Sequence, residues 1–113
     1  MKKIYLACPY THPDPAIRQM RFDLANRAAG RLMQQGHIVF SPISMSHPIA
    51  CVCNLPGEWD FWERHDRPFL DWADSLHVLC LGGWVESAGV QAEIEYFQAT
   101  GKPVVYKYQE VQE

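Results

Sequence analysis

The chain has 113 residues, 48% of them apolar, enough for one compact domain over residues 1–113 with a real core and too few for a second. A formal net charge of −3 excludes a phosphate-neutralising surface for long nucleic acids. No apolar run reaches membrane length, and "MKKIYLACPY" has too brief an apolar stretch for a secretory signal.

The first element, "KKIYLAC" at 2–8, is short, apolar and ended by Pro9, which suits a buried strand. Asp14 then precedes Pro15 as N-cap and first-turn proline, and a long helix follows with apolar residues at Ile17, Met20, Leu24, Ala28 and Leu32, stopped by Gly36. "HIVF" at 37–40 predicts a second strand. It leads into "SPISMSHPIACVCNLPG", whose prolines, serines and glycine predict a long functional loop over 41–57. From Glu58 to about Ala73 the spacing of residues 59, 62, 69 and 72 predicts a helix that Pro68 should bend or split. "SLHVLCLGG" at 75–83 predicts a third strand, 88–99 a helix, and "VVYKY" the last strand.

Strands alternating with helices imply an α/β fold: a single small doubly wound domain of the flavodoxin or Rossmann kind, with a parallel sheet of four to five strands and helices on both faces. Cys8 and Cys80 fall in apolar strands, where a free thiol behaves as a small hydrophobe, so a reduced, cytoplasmic protein is expected.

Doubly wound sheets bind ligands beyond the carboxyl ends of their strands, which singles out the loops 8–14, 41–57 and 82–89. Ser87 opens the helix after the third strand, where its hydroxyl and the amides near Gly89 could take an anion; capping alone is the plainer reading, and the sequence leaves both open. Glu93 lies on the flank of the Val90, Ile94 and Phe97 stripe, while Glu95 projects away. A carboxylate there pairs with a cation, snorkels to water or is retained for reactivity. Asp66, Asp71 and Asp74 precede the third strand, and an Asp and a Glu converging on one pocket would suit glycosidic cleavage.

His47, Cys51 and Cys53 fall short of a paired four-ligand zinc pattern, and "LGGW" is no dinucleotide fingerprint. Neither a metal nor an organic cofactor is expected. Trp59, Trp62, Trp72 and Trp84 suit core and subunit contact better than a base-stacking platform, although one aromatic could face a nucleobase.

With these residues placed, the whole chain resembles the nucleoside 2-deoxyribosyltransferase-like superfamily, and within it short bacterial proteins sharing the "IYLACPY" opening. "KIYLACPYT" is similar to the family's first strand and loop, "DRPFLDWADSLHVL" to its stretch with aspartates at the positions of Asp66 and Asp74, and "SAGVQAEIEYFQATGKPVV" to its nucleophile signature. The resemblance implies catalytic roles for Glu93 as nucleophile, Asp66 as the pocket aspartate and Tyr5 as a pocket tyrosine. It also implies substrate binding by Ser87, Gly89, Pro9 and His47.

Where the transferases carry an aspartate for the sugar 5′-hydroxyl, this chain has Ser87, like the related 2′-deoxynucleoside 5′-monophosphate N-glycosidases. A serine hydroxyl and helix amides accept a 5′-phosphate that an aspartate would repel. The loop "ACPYTHPDP", however, lacks the hydrolases' glycine and has no arginine before Arg18, so His47 is left as the source of positive charge. The expectation is therefore a hydrolase cleaving the N-glycosidic bond of a 2′-deoxyribonucleoside 5′-monophosphate. Base exchange by a deoxyribosyltransferase and a non-catalytic nucleotide-sensing module are the alternatives. The expected partner is a small nucleotide or nucleoside, in a homo-oligomer such as the family forms, with no membrane involved.

Overall fold

Eight elements carry the chain in the order β1 (Lys3–Ala7), α1 (Pro15–Gln34), β2 (Ile38–Phe40), α2 (Pro42–Cys53), α3 (Trp59–Trp72), β3 (Ser75–Cys80), α4 (Ala88–Ala99) and β4 (Val104–Tyr108), in a computed structural model that describes residues 1–108. The four strands are parallel and lie in the order β2-β1-β3-β4. Strand order reverses between β1 and β3, the flavodoxin-type switch point.

Alternation along the strands builds two cores. Tyr5 and Ala7 of β1 with Leu76, Val78 and Cys80 of β3 face α3 and α4, packing with Leu70, Val90, Ile94 and Phe97. Leu6 and Cys8 with Leu79 and Leu81 face α1, packing with Ala25, Ala28 and Ala29. Burial on both faces explains why β1 and β3 read as continuous apolar runs rather than alternating ones.

Local chemistry sets the helix ends. The Asp14 carboxylate accepts the Ala16 N–H at 2.9 Å, capping α1 as expected, and Gly36 follows the end of α1 at φ +92°, a conformation that costs glycine little. The buried face of α1 is rotated from the predicted stripe: Arg21, Ala25, Ala28 and Ala29 are buried, whereas Met20 is exposed.

Two expectations are corrected. The segment 41–57 is not all loop, because α2 occupies most of it. Ser41 and Pro42 form a helix start, and the second proline, Pro48, is carried inside the helix. Likewise, of the bend or split expected at Pro68, the split does not occur, because α3 runs through it as one element. No helix among the described residues is long and apolar enough to cross a membrane.

Lys102 joins the ends of α3 and α4. Its ammonium donates to the carbonyls of Leu70 at 2.7 Å, Asp71 at 3.1 Å and Ala73 at 2.8 Å, and lies 4.7 Å from the Phe97 ring centre. These are the orphan carbonyls at the end of α3, where the helix dipole favours a cation. Lys102→Met keeps the apolar stem and removes the cap, and should lower stability by about 1–2 kcal/mol in chemical denaturation.

Candidate active site

On α4, Val90, Glu93, Ile94 and Phe97 are all buried, so the helix turns a carboxylate inward with its apolar stripe while Glu95 stays exposed. Glu93 is 5% exposed. A buried carboxylate needs a hydrogen-bond donor, and β1 supplies it. The wholly buried Tyr5 hydroxyl donates to Glu93 Oε2 at 2.5 Å, leaving Oε1 free of that bond. Burial pushes the Glu93 carboxyl up to about 8, against the lowering effect of the Tyr5 hydrogen bond, and the nearby Asp66 charge raises it further. The Tyr5 hydroxyl is itself raised well above its ordinary value, first by burial and then by the charges of Glu93 and Asp66, so it remains a donor.

Asp66 reaches the same place from α3. It is 5% exposed, and its Oδ1 accepts from His65 Nδ1 at 2.8 Å when that nitrogen carries the proton. Burial raises its pKa, opposed by the hydrogen bonds of His65 and Tyr5. Asp74, by contrast, clamps the start of the sheet, accepting the Lys3 N–H at 3.0 Å and donating its own N–H to the Lys3 carbonyl.

Asp66 and Glu93 both line one cavity of about 480 Å³, formed by the segments that follow β1, β2 and β3 together with α3 and α4. Its wall includes the aromatic faces of Tyr10, Trp59 and Trp62. Trp59 also packs on Gly89, where a Cβ would meet its ring at 3.5 Å. Cys8 lines the cavity too, but burial holds its thiol up at about 12, so it is no nucleophile at neutral pH. Glu93 lines the cavity with Asp66 as a second acid, and its Oε1 is not held by Tyr5.

Ser87 caps α4, its Oγ accepting the Val90 N–H at 3.2 Å, and it also lines the cavity, so both sequence readings are realised in one residue. Tyr5 does not line the cavity; it acts from beneath, through Glu93. Pro9 is fully buried and does not line it either. His47 also stands apart from the lining, although its neighbours Ile43 and Ser46 on α2 belong to it. Its ring is held by the Tyr10 hydroxyl and, at 3.2 Å, by the Gln19 side chain. Burial lowers its pKa, and the Arg18 charge lowers it further, so His47 is a neutral spacer rather than a source of charge.

The positive charge comes instead from Arg21 on α1, 7% exposed yet lining the cavity. Sequence reasoning missed it, although the signal resembled that of Glu93: a charged residue four before Ala25, in register with the buried stripe.

Comparison with known proteins adds the following. A family model described as a domain of unknown function, DUF1937, matches residues 2–110. No curated protein gives a significant match. The solved structure of a 2-deoxyribosyltransferase from the psychrotolerant bacterium Bacillus psychrosaccharolyticus is similar at a TM-score of 0.63 and 24% identity, covering 98% of this chain and 77% of that one. At that identity the likeness shows a shared fold.

Burial of Glu93 has a consequence for stability that involves no substrate. The folded chain holds the Glu93 proton up to about pH 8, while the unfolded chain releases it near the ordinary value of 4.5. This contribution is therefore full below about pH 4.5 and is lost as pH rises through 8. Glu93→Gln should gain melting temperature relative to the wild type progressively from pH 5 to pH 8; a difference independent of pH would contradict the burial.

Proposed function

We propose that this chain, which belongs to the DUF1937 family, cleaves the N-glycosidic bond of a 2′-deoxyribonucleoside 5′-monophosphate, releasing the base and deoxyribose 5-phosphate. The reading is carried by one observation: the Tyr5-bound Glu93 and Asp66, both buried, line the same cavity. The shared fold with a 2-deoxyribosyltransferase is consistent with it.

Glu93 Oε1 attacks C1′ as the C1′–N bond breaks, and the departing base keeps the bonding pair and takes a proton from Asp66. Water then attacks C1′ of the glycosyl-enzyme, Asp66 accepts its proton, and the C1′–O bond returns its electrons to Glu93. The two carboxyls interact, so the pair titrates as a unit and the reactive form holds one proton, on Asp66. Burial favours the unreactive arrangement with the proton on Glu93, and the Tyr5 hydrogen bond opposes it. Trp59 and Trp62 offer the base an aromatic wall, and the Ser87 end of α4 receives the phosphate.

Deoxyribosyl transfer differs only in that a second base, not water, resolves the intermediate. Incubation of a deoxynucleotide with a foreign base separates the two, because a new nucleotide would exclude pure hydrolysis.

The wild type incubated with deoxynucleoside monophosphates should release free base by chromatography, and Glu93→Ala should release none. Tight binding by both proteins without base release from either would instead mark a non-catalytic sensing module. In the active enzyme kcat/KM should fall as pH rises through about 8, where the pair loses its last proton.

Tyr5→Phe should reduce kcat about 10- to 100-fold, the worth of a hydrogen bond to a charged group. It should also move the upper limb of the pH profile to higher pH, since Glu93 then holds its proton more tightly. An unmoved limb would remove Tyr5 from the mechanism.

A further inference from the structure

Arg21 braces the loops after β1 and β3 and has donors left over. Its Nη1 donates to the Thr11 carbonyl at 3.2 Å and its Nη2 to the Gly82 carbonyl at 2.9 Å. Two of the five guanidinium N–H groups are thereby used, and three have no protein acceptor among the described residues. No described carboxylate lies within 4 Å of it, the ion pairs among the described residues being His65–Asp66 and Arg67–Glu63. Burying a charge without a counter-ion is costly, and a neutral side chain would fill the same space at less cost.

The loop between β3 and α4 is shaped around this cation. Gly83 has φ +92°, which favours glycine, and a Cβ there would lie 2.8 Å from Arg21 Nη2 and push the guanidinium aside. That loop leads directly into α4, and Ser87, Ala88 and Gly89 at its end line the same cavity as Arg21. Among the described residues the Val90 amide is taken by Ser87 Oγ and the Gln91 amide by the Ser87 carbonyl, while the amides of Ala88 and Gly89 have no acceptor. A helix start with open amides and a guanidinium with donors to spare meet in one cavity, and both are suited to an anion. The acids Glu93 and Asp66 lie along the same cavity, so the anion belongs to a ligand that extends from this end toward them.

We propose that Arg21 and the first turn of α4 form the subsite for the substrate's 5′-phosphate and make the protein select a phosphate monoester over the free nucleoside. This rests on the glycosidase reading for the identity of the ligand, but not for the existence of the anion site. Arg21 is a specificity residue here, remote from the bond that breaks.

Binding is the test, with turnover removed by Glu93→Gln. Calorimetry should show that E93Q binds a deoxynucleoside 5′-monophosphate far more tightly than the same deoxynucleoside. Adding Arg21→Gln should weaken monophosphate binding about 10- to 100-fold and leave nucleoside binding within about threefold. Equal affinity of E93Q for the two ligands, or an equal loss for both on adding R21Q, overturns the proposal. Should R21Q fail to fold, Arg21→Met, which keeps an apolar stem and removes the charge, replaces it under the same criteria. Phosphate-selective binding without base release by the wild type would sustain the subsite while refuting the glycosidase, so the two failures are distinguishable.

Discussion

The site is organised around one buried hydrogen bond, from the Tyr5 hydroxyl on β1 to the Glu93 carboxylate on α4. A carboxylate at 5% exposure is stable only if something donates to it, and a tyrosine at 0% exposure on the neighbouring strand needs an acceptor in turn. Each satisfies the other across the space between sheet and helix. The same bond ties the core to the charge state of the acid, because it offsets part of the burial that raises the Glu93 pKa.

Everything else places groups around that bond. The reversal of strand order between β1 and β3 opens a crevice at their carboxyl ends, and the two helices packed on the Tyr5 side of the sheet each bring one acid to it. Lys102 fastens the end of α3 beside α4, so the helices bearing Asp66 and Glu93 are held by a shared contact remote from the cavity. Across the sheet, α1 contributes a buried cation to the same cavity. Acids and guanidinium thus arrive at one cavity from opposite layers of the sheet.

Much of this was legible beforehand where the signal was local. The Asp14 cap, the Gly36 stop, the apolar strands and the inward tilt of Glu93 are each written in a few consecutive residues, and each appears where it was expected. The failures had a common source. Prolines at 42 and 48 resemble loop punctuation until tertiary packing fixes which one starts a helix and which is carried inside it, so α2 has no clear local signature. Apolar character along α1 favours Met20 over Arg21, although the packed helix buries Arg21 and exposes Met20. His47 is chemically able to carry charge, but its desolvated position against Tyr10 and Gln19 keeps it neutral.

By itself the sequence determined the fold class, the boundaries of the strongly periodic elements and an awkward acid on the inner side of α4, because these follow from spacing along the chain. Only the tertiary structure decided which distant residues share a cavity: that Asp66 joins Glu93, that Tyr5 lies beneath them rather than on the wall, and that Arg21 rather than His47 brings a positive charge to it. The reason is physical. Desolvation and Coulomb interactions depend on separations through space, and residues 5, 21, 66 and 93 come together only when the sheet orders its strands and the helices close over both of its faces.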